Sequence, residues 1–234
     1  GVSVRGRARV RPPAPEGRSS VATSTTGRAA DPATEQTPGL RLVRLDHDTD
    51  ETRTLREAVV RQRLAPEQRR FVTEAVRTLP QADTDPDRIP FAMVLADARP
   101  TDRLTALDTC AGFGIIDLRG LLRDLVDTPE RAALLRAYYV TPEWQGRGIG
   151  TAACSAPLLD PLVAEAAPRA HEIVLCVNHA NEAGTRTYLA AGFVPTGRTY
   201  HGGPNGPQQV LSRALDTGAH GVPGPRNERT ENTQ

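Results

Sequence analysis

The sequence predicts a mixed α/β fold in which a central, twisted and mostly antiparallel sheet is flanked by helices. Three observations support this fold class: short apolar runs have the length of strands, amphipathic segments of helical period lie between some of them, and a glycine-rich loop joins a late strand to a helix. The predicted strands span residues 40–45, 91–96, 111–118, 133–140, 171–177, 193–200 and 208–215.

Two amphipathic helices are expected after the first strand, at residues 52–63 and 66–79. Apolar side chains recur on one face of each segment, and Pro66 suits a first helical turn because its missing N–H needs no partner there. The connection over residues 97–109 is longer than a tight hairpin, and residues 119–129 fit either a helical turn or a ragged hairpin.

Two further helices are expected in the second half of the chain. One starts at Gly148 and should kink or restart near Ala156, because two prolines that follow each remove a backbone donor and clash with the preceding turn. The other is capped by Asn181 and ends at Gly192, which suits the left-handed position after a helix.

Composition divides the 234 residues into one domain and two tails. Residues 1–39 and 216–234 carry few large apolar side chains and are expected to be disordered, whereas residues 40–215 are expected to form the domain. No apolar run approaches the ~18 residues of a membrane span, and no signal-peptide pattern precedes the domain. We therefore expect a cytoplasmic protein with no membrane partner.

Charge and cysteine usage argue against several classes of function. The net charge is only +1, and the basic arm at residues 5–11 has no interleaved aromatic residues, so binding of nucleic acid is not favoured. The widely spaced Cys110, Cys154 and Cys176 predict neither a disulfide framework nor a metal site, and we expect Cys154 and Cys176 to be buried small side chains.

The most informative stretch is the loop that follows the strand ending near Val140. Gly146, Gly148 and Gly150 stand at alternate positions just where an apolar helical pattern begins. A strand, a glycine loop and a helix start present free backbone N–H groups and a positive helix end to one point, which suits a phosphate. A Walker loop would need a lysine, and the chain has none.

A second constellation stands one strand later, where Asn181, Tyr188, Gly192 and Phe193 have the spacing Asn-x(6)-Tyr-x(3)-Gly-Phe. Together with the preceding glycine loop, Gln-x-x-Gly-x-Gly over residues 145–150, it resembles the GNAT superfamily of acyl-CoA N-acetyltransferases. The resemblance extends over roughly residues 40–215. It implies an enzyme that uses acetyl-CoA, without a metal, to acetylate a primary amine of a small molecule.

The resemblance also implies roles for individual residues. Backbone groups near Val140 would meet the pantetheine arm, the loop amides would hold the pyrophosphate, and the Tyr188 hydroxyl would lie beside the thioester sulfur. A phenol (pKa ~10) is a weaker acid than a thiol (~8.5), so we expect Tyr188 to act mainly as a hydrogen-bond donor. The expected cofactor-binding residues are Tyr138, Tyr139, Val140, Gln145, Gly146, Arg147, Gly148, Ile149, Gly150, Thr151 and Asn181.

The sequence leaves the base and the acceptor open. Asp117, Glu143 and Tyr138 are candidate bases, although a surface or packing role is the commoner one for each. The acceptor pocket is expected between the two early helices and the loop at residues 200–207. The nearby acidic residues could draw a cationic amine there, although a solvated acidic turn is the commoner meaning of such a run; they are Asp46, Asp48, Asp50 and Glu51.

Several alternatives remain at this stage. Residues 64–72 are weakly similar to a bacterial branch that acetylates polyamines and other small amines. A non-catalytic acyl-CoA-binding module and an acetyltransferase acting on protein N-termini or lysines also fit the motifs, and a homodimer is open.

Overall fold

The computed structural model describes residues 36–216, and the predicted tails lie almost wholly outside that range. Within it the chain forms seven strands and eight helices. The strands are β1 (Leu40–Arg44), β2 (Arg88–Leu95), β3 (Cys110–Asp117), β4 (Ala132–Val140), β5 (Glu172–Asn178), β6 (Val194–Tyr200) and β7 (Gln208–Ala214). The helices are α1 (Asp50–Val59), α2 (Pro66–Arg69), α3 (Ala75–Asp83), α4 (Arg103–Thr109), α5 (Leu122–Leu125), α6 (Ile149–Cys154), α7 (Ala156–Ala166) and α8 (Glu182–Ala190).

The strands form one sheet in the order β1-β2-β3-β4-β5-β7-β6. Every neighbouring pair is antiparallel except β4 and β5, which run parallel. Successive side chains of a strand point to opposite faces. Accordingly Tyr138 packs into a core cluster with α6 and α7, and Tyr139 packs into another with α1, α3 and α4. This is the mixed fold that the sequence predicts.

β4 parts from β5 partway along its length. The two strands pair only from Ala132 to Leu134, opposite Glu172 to Val174. Farther along, a bulge interrupts the pairing of β4 with β3, and Ala137 adopts a φ of 51°. Since a bulge bends its strand and increases the local twist, the second half of β4 is left without a partner on the β5 side.

The predicted helix at residues 66–79 is wrong, because the structure divides this segment into α2 and α3. Val72 and Thr73 are β-branched, which lowers their helix propensity. Glu74 then adopts an extended conformation, with ψ of 152°, and becomes the N-cap of α3. The break places α2 at the end of β4, where it borders the site described below.

The predicted restart near Ala156 is confirmed. Ser155 ends α6 and is also the N-cap of α7, whose first turn contains Pro157. The two connections that the sequence left unassigned each contain a short helix, α4 and α5. None of the helices between residues 36 and 216 is long and apolar enough to cross a membrane.

Candidate active site

A cavity of about 900 Å³ lies at the C-terminal end of β4. Its walls are the segment 65–72, which contains α2 and is called the acceptor wall below, the last residues of β4, the glycine loop and α8. Tyr188 lines it together with every predicted cofactor-binding residue except Arg147. Two motifs that are separate in sequence therefore border the same space.

The glycine loop has a backbone that requires glycine at two positions. Gly146 and Gly148 have φ of 77° and 78°, in the left-handed region that other residues rarely adopt, and Gly148 is the N-cap of α6. Gly150 meets a different need, since an added Cβ would lie 3.3 Å from the Thr187 side chain. A small residue there allows α6 and α8 to approach closely.

The loop offers free backbone donors to the cavity. The first bond within α6 runs from Ala152 N–H to Gly148 O (3.0 Å), so the N–H groups of Ile149, Gly150 and Thr151 have no carbonyl partner within the helix. The loop amides are predicted to hold the pyrophosphate, but the Gln145 N–H is already bonded: it donates to Pro142 O (3.3 Å) in a 3₁₀ turn.

Two arginines accompany these amides, one in the glycine loop and one at the cavity lining. Arg147 stacks over the Trp144 ring, with 4.7 Å from Cζ to the ring centroid, and Arg186 projects from α8 at the cavity lining. Within residues 36–216, neither group forms an ion pair with a carboxylate. Both are therefore available to an anionic ligand.

Tyr138 and Tyr188 both line the cavity, and their ring centroids lie 5.9 Å apart. The Tyr138 hydroxyl donates to Gly150 O (2.5 Å), whereas the Tyr188 hydroxyl has no hydrogen-bond partner among the described residues. Burial raises the pKa of Tyr188 above its usual range, so this phenol stays protonated at neutral pH. Phe193 supports the Tyr188 ring edge-on at 6.0 Å.

The side chain of Tyr139 is also engaged elsewhere. Its hydroxyl donates to Gln62 Oε1 (2.8 Å), and Gln62 in turn donates to Cys110 O (3.2 Å). A ligand at this end of β4 would therefore meet the backbone of the strand, as the resemblance implies.

Asn181 acts as the N-cap of α8. Its Oδ1 accepts a hydrogen bond from Gly184 N–H (3.0 Å), and its amide folds over Gly184, where an added Cβ would lie 2.5 Å from Nδ2. The cap orients α8, and with it Tyr188, towards β4.

The three candidate bases do not provide a free base at this cavity. Asp117 is fully buried, 3.0 Å from Arg136 and 3.3 Å from Arg88, and it is not among the cavity-lining residues. Glu143 is exposed beside the loop but also does not line the cavity. Tyr138 does line the cavity, but its hydroxyl is bonded to Gly150.

The acidic residues after β1 do not border this cavity. Asp46 pairs with Arg44 and Glu51 with Arg41, each at 2.7 Å, while Asp48 and Asp50 both contact Arg53. Asp46 and Asp48 instead border a second hollow of about 460 Å³. The expectation that this run attracts the amine is therefore wrong.

The acceptor wall and the β6–β7 loop, which the sequence predicts on either side of the acceptor pocket, are in contact. Asn205 Nδ2 donates to Arg70 O (2.5 Å), and Asn205 O accepts from Asn178 Nδ2 (2.7 Å) at the end of β5. Glu67 lines the cavity on this side and has no partner among residues 36–216.

Sequence reasoning missed several cavity residues as site residues. Glu67, Gln68 and Phe71 appear in the motif with weak similarity, and Trp144 adjoins the loop, but none was given a role. Arg186 could have been found from its position two residues before Tyr188 in a capped helix. No group of three or more His, Cys, Asp or Glu side chains in the described part of the chain could hold a metal.

Two solved structures of one enzyme agree with the fold. The aminoglycoside acetyltransferase AAC(6')-Ib, solved with paromomycin and acetyl-CoA, superposes with a TM-score of 0.51 at 15% identity, over 75% of this chain and 93% of that one. The same enzyme with coenzyme A gives 0.50 at 17% identity, over 75% and 95%. A spermidine N-acetyltransferase from Vibrio cholerae gives 0.42 at 15% identity, over 75% and 95%. A search of curated proteins found no match.

A family model described as the acetyltransferase (GNAT) family matches residues 56–193, which is more than half of the chain. The match begins in α1 and ends at Phe193, so it includes the glycine loop and α8. It confirms the predicted class of enzyme, an N-acetyltransferase, and acetyl-CoA as co-substrate follows from the family. The chain belongs to the acetyltransferase (GNAT) family.

Proposed function

We propose that this protein transfers the acetyl group of acetyl-CoA to the primary amine of a small molecule, and that residues 40–215 are the acetyltransferase domain. The observation that carries the proposal is that Tyr188, whose hydroxyl has no partner within residues 36–216, borders the same cavity as a loop whose helix-start amides have no carbonyl partner in α6. Acetyl-CoA is a thioester that carries a diphosphate. It therefore requires an anion site for the diphosphate and a proton donor for the thiolate leaving group, both in one cavity.

The chain's own groups fit the diphosphate end of such a ligand. The first N–H groups of α6 have no carbonyl partner within the helix, so they can donate to an anion. Arg147 in the loop and Arg186 at the cavity lining add positive charge. A side chain at Gly148 would disturb this loop, since its Cβ would lie 2.5 Å from Thr37 Oγ1 and the residue has φ of 78°. We assign the pyrophosphate to the loop and the pantetheine arm to the gap beside Val140, near the Asn181 amide.

Tyr188 is assigned to the thioester end. When bound, acetyl-CoA supplies an activated carbonyl and a thiolate leaving group. Because the pKa of Tyr188 is raised, its hydroxyl can donate a hydrogen bond to the developing thiolate without ionising itself. Only a neutral amine attacks, and an amine of pKa ~10.4 is neutral in about one molecule in a few thousand at pH 7.

The acceptor end favours a small molecule. The bond between Asn205 and Arg70 ties the acceptor wall to the β6–β7 loop, and a cavity covered in this way would admit a small amine or a chain terminus more readily than a residue within a polypeptide. Glu67 places one negative charge at this end, which suits a cationic substrate. The amine acceptors named for the solved neighbours, aminoglycosides and polyamines, belong to this chemical class.

Release of free coenzyme A thiol from acetyl-CoA tests the proposal. The panel should contain a polyamine, an aminoglycoside, amino acids, a peptide with a free N-terminus and a lysine peptide blocked at its N-terminus. Turnover with a small amine supports the proposal. Turnover with peptides alone would assign a protein substrate, and tight coenzyme A binding without turnover on any amine would leave a binding module.

A further inference from the structure

The acceptor wall is weakly anchored by its own packing. α2 has four residues and buries none of them, and Val72 beyond it is only partly buried. Within the described residues, two hydrogen bonds to distant parts of the chain hold the wall: Arg70 O accepts from Asn205, and Gln68 donates to Val140. The position of the wall therefore depends on very few contacts.

Gln68 performs two tasks with one amide. Its Oε1 accepts from Ala65 N–H (3.0 Å) and so closes the first turn of α2. Its Nε2 donates to Val140 O (2.8 Å), which is 72 residues farther along the chain. The side chain thus ties the helix to the last residue of β4.

The direction of the Val140 carbonyl gives this bond its significance. Thr141 N–H donates to Ala111 O (2.9 Å), and Val140 is paired opposite Gly112. In an antiparallel ladder bonded and non-bonded pairs alternate, so Val140 belongs to a non-bonded pair, and its N–H and C=O face away from β3. They face the side where β5 has parted from β4.

The same oxygen receives a bond from the opposite side of the cavity. Gln145 Nε2, on the glycine loop, donates to Val140 O at 3.2 Å. The acceptor wall and the glycine loop therefore both bind one carbonyl of the strand. A shift of α2 would change the distance between the walls that bind the two reactants.

We propose that Gln68 is a positioning residue for acetyl transfer, which holds the acceptor wall against the cofactor strand through Val140. The inference rests on the proposed function, because it assigns this wall to the amine. Its effect is on alignment: a misplacement of about 1 Å can cost roughly 100-fold in rate. Gln68 need not touch either reactant to have this effect.

The substitution Gln68→Glu separates the two bonds. A glutamate still accepts from Ala65 N–H, so the turn of α2 keeps its cap, but an ionised carboxylate cannot donate to Val140 O and is repelled by it. The matched control is Gln81→Glu, the same change at an exposed glutamine on α3 that does not line the cavity.

Three readouts are needed on the full chain: kinetics with the best amine of the panel, coenzyme A affinity, and hydrogen exchange of residues 65–72 without ligand. For Gln68→Glu we expect kcat/KM for the amine to fall about 10- to 100-fold and coenzyme A affinity to stay within about threefold. Exchange in residues 65–72 should accelerate, and Gln81→Glu should match wild type throughout.

Unchanged kinetics and exchange in Gln68→Glu would overturn the inference. An equal loss in coenzyme A affinity and kcat/KM would also overturn it, since Gln68 would then act on the cofactor. Failure of the proposed function is distinguishable, because it would appear in wild type as absent turnover on every amine. The exchange experiment would still show whether the Gln68 bond holds the wall.

Discussion

The rings of Tyr138 and Tyr188 lie 5.9 Å apart, yet only the Tyr188 hydroxyl is unbonded within the described residues. Tyr138 is fixed by the carbonyl of Gly150, so it supports the first turn of α6. Two adjacent phenols thus have different tasks, one in the structure of the loop and one available to a ligand.

Replacing Tyr188 by phenylalanine should lower turnover about 10²- to 10⁴-fold, because the ring stays and only the donor to the leaving group is lost. Coenzyme A affinity should change little. Steady-state kinetics and calorimetry check the two parts.

Tyr138→Phe is the matched control. It should mainly weaken stability or cofactor binding, through the loss of the bond to Gly150. Equal turnover in wild type and Tyr188→Phe would remove Tyr188 from the mechanism.

Replacing Gly148 by alanine should weaken coenzyme A binding about tenfold. The residue has φ of 78°, which costs an L-residue roughly 1–2 kcal/mol, and the loop amides must shift to relieve the strain. The fluorescence of Trp144, the single tryptophan of the chain and a cavity residue, should report binding.

Gly197→Ala provides the comparison for this change. Gly197 has φ of 85°, an added Cβ meets nothing within 4 Å, and the residue lies on β6 outside the cavity. Similar backbone strain should there leave coenzyme A affinity unchanged. If both variants bound equally well, the loop could not be the phosphate site.

Replacing Glu67 by glutamine should raise KM for a cationic amine about two- to fivefold with little change in kcat, as expected for one exposed charge pair. The effect should shrink at high salt. Glu57→Gln, at an exposed carboxylate of α1 outside the cavity, should have no effect. An unchanged KM in Glu67→Gln would place the amine elsewhere.

Stability should fall as pH rises from 9 through 11. Burial raises the pKa of the Cys110 and Cys154 thiols from 9.0 to about 11. In that pH range the thiols of the unfolded chain lose their protons while those of the native chain keep them. The free energy of unfolding therefore falls as pH increases, by roughly 2–3 kcal/mol per thiol.

Urea unfolding followed by tryptophan fluorescence measures this dependence. Cys154→Ser should show a shallower loss, because a hydroxyl does not titrate in this range yet can still donate to Gly150 O, as the thiol does at 3.1 Å. A free energy of unfolding that stays constant from pH 8 to 11 would contradict the burial of these thiols.

Features that depend on local chemistry could be predicted from the sequence. The Asn181 cap, the restart near Ala156 and the left-handed Gly192 follow from neighbouring residues alone. The glycine loop and Tyr188 are more than 35 residues apart in sequence. That they border one site could be predicted only because two motifs together resemble those of a known family.

Features that depend on distant partners could not be predicted. The partner of Gln68 is 72 residues away, and nothing near residue 68 indicates it. Glu51 is paired with Arg41 only because α1 packs beside β1, and Asp117 lies between arginines of two neighbouring strands. Their local sequences resemble those of free carboxylates.

Although α8 supplies Tyr188 and is capped by Asn181, its residues are at most partly buried. Whatever fills the neighbouring space would complete its packing, so ligand occupancy and folding are thermodynamically linked. Shortage of the acyl donor would then leave this helix as a weak point for proteases.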